Sequence, residues 1–130
     1  MKFLKVILID DDAVTNFFNS EILSFFNSTL LIESFSDPEK AITHLVSYQN
    51  NDATKKILIF LDINMPLISG WDLLHTLEKE KSELFAYLQI HLLTSSIDEN
   101  DKKRAAENPR ISSILHKPLD EDILQQIFNQ

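Results

Sequence analysis

Three consecutive aspartates, Asp10, Asp11 and Asp12, follow directly on the apolar run "KVILI". Like charges at this spacing repel one another, and the low-dielectric end of a buried strand makes the repulsion worse. The same juxtaposition of apolar run and chemically capable residue recurs along the chain. Asp62 ends "KILIFLD" and leads into "INMPLISG". Thr94, Ser95 and Ser96 follow "QIHLL", and Lys117 and Pro118 follow "ISSILH". Singly, each has a structural explanation: an Asp after a strand is more often a helix cap than a ligand, and a Thr or Lys there usually does nothing. Their conjunction after four of five apolar runs outweighs those separate readings. Asp10, Asp11 and Asp62 bring negative charge and Lys117 returns part of it, leaving a surplus of about two, which one divalent cation would neutralise. Oxygen donors without cysteine or clustered histidine favour Mg²⁺ or a similar hard ion over zinc. Mg²⁺ commonly binds beside phosphate oxygens, so a phosphoryl group is expected at the same place.

For these residues to meet, the chain must deliver them to one edge. Apolar runs and amphipathic stretches alternate throughout. "FLKVILI", "TLLIESF", "KILIFLD", "LQIHLLT" and "ISSILH" read as strands. "AVTNFFNSEILSFFN", "DPEKAITHLVSYQ", "SGWDLLHTLEKEKS", "IDENDKKRAAEN" and "LDEDILQQIFNQ" read as helices. In the first helix Val14, Phe18, Ile22 and Phe25 recur at steps of four, four and three, which predicts its buried stripe. Asp37 as N-cap and Pro38 at the first helical position start the second. Leu119, Ile123 and Ile127 share one face at the end of the chain. Five repeats of strand then helix predict an α/β fold, a doubly wound parallel sheet with helices on both faces and right-handed crossovers. In such open sheets ligands bind outside the C-terminal ends of the strands, where the residues above are placed. One domain spanning residues 1–130 is expected, with nothing left over for an output module.

The bulk properties agree with that reading. Apolar residues make up 44% and charged residues 25% of the chain, as in ordinary soluble domains. The absence of cysteine excludes disulfides and thiolate zinc sites. Lys5 interrupts the N-terminal apolar run before it reaches the length of a signal peptide, and no stretch approaches the roughly 20 apolar residues of a membrane span. A cytoplasmic location is expected. A net charge of −8 argues against nucleic acid as a partner. The basic cluster "KKR" lies within "DENDKKRAAE" and reads as a solvated helix face.

The set "LIDDD", "FLDINMP" with Gly70 following, "LLTSS" and "HKP" resembles the receiver domain of two-component response regulators over essentially the whole chain. The resemblance implies a flavodoxin-like (βα)5 fold of strand order 2-1-3-4-5. It implies that Asp10 and Asp11 bind Mg²⁺ and that Asp62 is the phosphoacceptor and a metal ligand. Asn64 would give its backbone carbonyl to the metal, Thr94 would be the switch hydroxyl, and Lys117 would precede the cis-proline Pro118. The implied partners are a sensor histidine kinase or histidine phosphotransfer protein as donor and a downstream protein as target. The implied state is a monomer or weak homodimer, and the face of the fourth helix, fifth strand and fifth helix is the docking surface by analogy. Asp12 matches no required position and reads as a helix cap.

Two departures stand out. The family commonly carries Tyr or Phe three residues before the Pro-flanked lysine, and here that switch position is Ile114, which has no ring to swing. The loop "ENPRISS" lacks the glycine common there. Phe17, Phe18, Phe25 and Phe26 crowd the first helix; core packing with one partly exposed ring is expected, a partner contact being the sharper alternative. Trp71 is read the same way, and the dispersed His44, His75, His91 and His116 form no ligand pair. Rival functions are weaker. A haloacid-dehalogenase-like phosphatase needs a second Asp two residues after its nucleophile, a slot held by Asn64. A flavodoxin-like cofactor binder needs a phosphate cradle after the first strand, where three aspartates would repel it. A receiver-like interaction module that no longer takes phosphate survives because of Ile114.

Overall fold

Apolar continuity decides where the strands run. In the computed structural model, which describes residues 3–49, 52 and 54–129, the five apolar runs become β1 (Phe3–Ile9), β2 (Ile32–Phe35), β3 (Lys56–Asp62), β4 (Leu88–Thr94) and β5 (Ile111–His116). They alternate with α1 (Ala13–Phe26), α2 (Pro38–Val46), α3 (Gly70–Lys81), α4 (Glu99–Glu107) and α5 (Glu121–Phe128). All pairings are parallel and the order is β2-β1-β3-β4-β5, the doubly wound arrangement expected from sequence. A 3-10 helix over Ser82–Tyr87, absent from the sequence reading, inserts Leu84 beneath β4.

The period of two along each strand divides the core into two layers. Ile7, Ile9, Ile59 and Leu61 face Leu45 of α2, Leu73, Leu74 and Leu77 of α3 and Ala105 of α4. Val6, Leu8, Leu58 and Phe60 face Leu23 of α1 and Leu124 and Ile127 of α5. β3 is buried along its whole length after Lys56, because it lies mid-sheet under both layers. Aspartate or serine caps open each of the five α-helices: Asp12, Asp37, Ser69, Asp98 and Asp120 each accept a backbone N–H of the first turn. Among the described residues, no helix is long and apolar enough to cross a membrane.

One expectation is overturned in α1. The Val14–Phe18–Ile22–Phe25 stripe does not form the buried face; Val14, Phe18 and Phe25 are 61%, 60% and 89% exposed. The helix buries Asn16, Asn19 and Leu23 instead, with Phe26 half-buried against Phe128. Hydrogen bonding sets this rotation. The Asn16 amide donates to the Asp10 carbonyl at 2.9 Å and, beside the Asp10 N–H, to the Phe35 carbonyl at 3.1 Å, tying the ends of β1 and β2 together. A buried carbonyl left unpaired is costly, so a polar residue faces inward. Consequently three of the four phenylalanines, Phe17, Phe18 and Phe25, are exposed rather than one. At the chain's end, Leu119 is buried just before α5, while Leu124 and Ile127 are the buried residues of the helix itself.

Candidate functional site

Strand order explains which strand ends meet. β1 and β3 are neighbours with Ile9 opposite Leu61, so Asp10 and Asp62 emerge side by side. β4 flanks β3 with Leu93 opposite Asp62, and β5 flanks β4 with His116 opposite Thr94. The residues after β1, β3, β4 and β5 thus share one edge, while β2, whose end carried little chemistry in the sequence, lies at the rim of the sheet. Carboxylate oxygens of Asp10, Asp11 and Asp62 lie within 4.8 Å of one another. Asp10 and Asp62 are buried and Asp11 is exposed.

Lys117 ties the acidic group together. Its Nζ donates to Asp10 Oδ2 at 2.6 Å and stands 3.4 Å from Asp62 Oδ1. Its backbone N–H donates to the Thr94 carbonyl at 2.8 Å, and the Lys117–Pro118 peptide is cis. Burial alone would lower the ammonium's pKa, but the hydrogen bond to Asp10 and the charges of Asp62 and Asp10 outweigh it and raise it. The Asp62 pKa also rises, which for a carboxylate favours the neutral form. Burial and then the neighbouring Asp10 charge push it up to about 6, against the pull of Lys117 and the Asn64 N–H. Three carboxylates held this close, offering only oxygen, fit a divalent cation.

Asn64 and Thr94 form the neighbouring wall. The Asn64 backbone N–H donates to Asp62 Oδ1 at 3.2 Å, and its side-chain amide donates to Thr94 Oγ1 at 3.2 Å. The fully buried Thr94 hydroxyl itself donates to the Ser96 carbonyl at 3.0 Å and accepts the Ser96 N–H at 3.2 Å. Asp12 stands outside the cluster as the cap of α1, accepting the Val14 N–H at 2.9 Å and the Thr15 hydroxyl at 3.1 Å. Ile114, on β5, stands away from the site; it pairs with Leu92 of β4 and packs, half-buried, against the α2–α3–α4 layer.

Two supporting residues escaped the sequence reading in their roles. Gly70 enters the sequence pattern only as the glycine that follows "FLDINMP". A Cβ there would stand 2.6 Å from the Asp62 carbonyl oxygen, so the residue's smallness lets α3 start against the backbone of β3. Asn16 holds the Asp10 carbonyl from below. Its signal was a polar residue amid apolar ones in α1, which a search for apolar stripes discards.

Comparison with known proteins agrees with this geometry. The chain resembles a two-component response regulator from Cytophaga hutchinsonii at 29% identity and a TM-score of 0.85, over 99% of this chain and 96% of that one. It is similar to a response regulator receiver protein from Dyadobacter fermentans at 25% identity and a TM-score of 0.82, over 96% and 94%. A two-component response regulator from Legionella pneumophila matches at 26% and 0.77, over 95% and 94%. No curated protein matches the chain by sequence. The sequence model described as the response regulator receiver domain matches residues 6–129. With an acidic cluster, a lysine and a buried hydroxyl brought to one sheet edge, the chain belongs to the response regulator receiver domain family.

Proposed function

We propose that this receiver accepts a phosphoryl group on Asp62 from the phosphohistidine of a sensor histidine kinase or histidine phosphotransfer protein, in a Mg²⁺-dependent reaction. The carrying observation is the Asp62 carboxylate itself: buried, crowded by Asp10 and Asp11, and faced by the Lys117 ammonium at 3.4 Å. A carboxylate with a pKa near 6 is largely ionised at neutral pH and so is available as a nucleophile. In the transfer, an Asp62 oxygen bonds to phosphorus as the donor's P–N bond breaks, and that electron pair stays on the imidazole. The loose transition state of phosphoryl transfer asks mainly for positioning and charge. Lys117, held against Asp10, lies within reach of the phosphoryl oxygens. Asp10, Asp11, Asp62 and the Asn64 carbonyl are the residues that would hold Mg²⁺, which supplies further positive charge there when bound. Thr94 can donate to the phosphoryl group once its hydroxyl leaves the Ser96 carbonyl.

Signalling then follows through contacts with a downstream protein, by a population shift between two packings. The chain catalyses only its own phosphorylation and dephosphorylation, in the cytoplasm, as a monomer or weak homodimer without nucleic acid. Incubation with Mg²⁺ and acetyl phosphate is expected to add one phosphoryl group by intact mass. Equal labelling of Asp62→Asn would show that another residue is the nucleophile. If wild type takes no label, the receiver-like interaction module, with its aliphatic Ile114, becomes the better reading.

A further inference from the structure

The β3 and β4 sides of the site are anchored differently, and one side chain spans them. On the β3 side the start of α3 is pinned to Asp62. The Gly70 N–H donates to the Ile63 carbonyl at 2.9 Å, and there is no room for a Cβ between Gly70 and the Asp62 carbonyl. On the β4 side the chain from Thr94 leads through Ser96 to Asp98, whose carboxylate accepts the Asp101 N–H at 2.7 Å and caps α4. α4 is lightly held: of its nine residues only Ala105 is buried.

Trp71, the residue after Gly70, reaches across. Its buried indole Nε1–H donates to Asp101 Oδ1 at 3.1 Å. Arg104, one turn further along α4, lays its guanidinium over the ring at 4.4 Å. α4 therefore grips the indole by its edge and its face. Beside the ring opens a cleft of about 120 Å³, lined in part by His75, Phe85 and Arg110.

We propose that the Trp71–Asp101–Arg104 contact is a joint, closed while Asp62 is free and opened when Asp62 carries a phosphoryl group, which releases the first turn of α4. This rests on the phosphoacceptor reading of Asp62. A Thr94 hydroxyl redirected to the phosphoryl oxygens leaves the Ser96 carbonyl without its donor, so the segment from Thr94 to Asp98 rearranges. The Asp98 cap carries that displacement to Asp101. Trp71 cannot follow, because Gly70 is fixed against β3. The bond between Trp71 and Asp101 is where the moving and the fixed parts separate. Ile114 on β5 has neither a polar atom nor a ring with which to carry the same displacement.

Trp71 is the chain's sole tryptophan, so its emission reports the joint directly. The test records emission in Mg²⁺ before and after acetyl phosphate, with intact mass on the same samples. A red shift growing in step with the labelled fraction is expected, since the ring loses its partners and gains solvent. Asp101→Ala is expected to show the shifted emission without phosphodonor. It should also bind beryllium fluoride several-fold more tightly by calorimetry, because coupling between the two sites is reciprocal. Asp101→Asn keeps an acceptor oxygen and is expected to emit as wild type, which separates the hydrogen bond from general damage to α4. Labelling with unchanged emission, or Asp101→Ala binding beryllium fluoride no more tightly than wild type, overturns the joint and leaves the phosphoacceptor reading standing. Absence of label overturns that reading and the joint with it.

Discussion

Asp62 holds its charge under strain, and the strain has a measurable consequence. Its folded pKa of about 6 lies above the ordinary value of 3.8. Between those values the folded chain binds a proton that the unfolded chain has released. Stability therefore falls as pH rises through this window, and the loss is complete above about pH 6. Asp62→Asn removes the buried charge and is expected to raise Tm at pH 7 in the absence of divalent cations. The gain should shrink as the melts are repeated toward pH 4; a variant no more stable than wild type at pH 7 would refute this balance. Gly70 is the second residue with a sharp expectation. Gly70→Ala forces a Cβ to 2.6 Å from a backbone oxygen. Crowding of this kind destabilises by about 1–3 kcal/mol, and because the displaced atom belongs to Asp62, labelling by acetyl phosphate should slow as well.

At the scale of the element, α1 shows what periodicity reads well and what it does not. The helix itself was legible from its spacing and from Asp12 before it; its orientation was not. Apolar spacing reports a helix, but the face that turns inward also depends on which backbone acceptors the neighbouring strands leave open. Here the Asp10 carbonyl is such an acceptor, and Asn16 answers it while sharing the Phe35 carbonyl with the Asp10 N–H. Denaturant unfolding checks the assignment. Leu23→Ala should cost about 2–5 kcal/mol, as for a buried leucine. Phe25→Ser should stay within about 0.5 kcal/mol of wild type, as for an exposed position. The reverse ranking would restore the stripe expected from sequence. At the sheet edge, Glu33 on β2 binds Lys5 of β1 at 2.8 Å and His44 of α2 at 3.1 Å. Burial pushes the Glu33 carboxyl up, but these partners outweigh it and hold it below the ordinary 4.5. Its contribution is present above that pH and disappears as pH falls through the depressed folded value. Glu33→Gln is expected to flatten the acid limb of a Tm–pH profile below about pH 4.5 and to leave its slope above pH 6 unchanged.

At the scale of the molecule, the parallel sheet turns four separate sequence segments into one electrostatic site. Cation binding to that site must then stabilise the fold by linkage, by about 2.7 kcal/mol at a hundred times Kd. Tm is expected to climb with the logarithm of MgCl2 concentration and to return on chelation. Asp11→Asn, which removes an exposed carboxylate from the cluster, should weaken that climb. A wild-type Tm indifferent to Mg²⁺ would remove the metal from the proposed reaction.

The candidate site residues, and the strand ends on which they stand, were readable from the chain alone, because type and position follow local rules: apolar runs make strands, Asp and Ser cap helices, and carboxylates, a hydroxyl and a lysine after such runs stand where parallel sheets bind ligands. Three matters waited for the tertiary structure. The Asp62 pKa depends on burial and on Asp10, which is distant in sequence. The inward face of α1 depends on carbonyls presented by two strands. The grip of α4 on Trp71 joins residues thirty positions apart. Each is set by which groups lose water together, and that is a property of the packed molecule rather than of any one stretch of it.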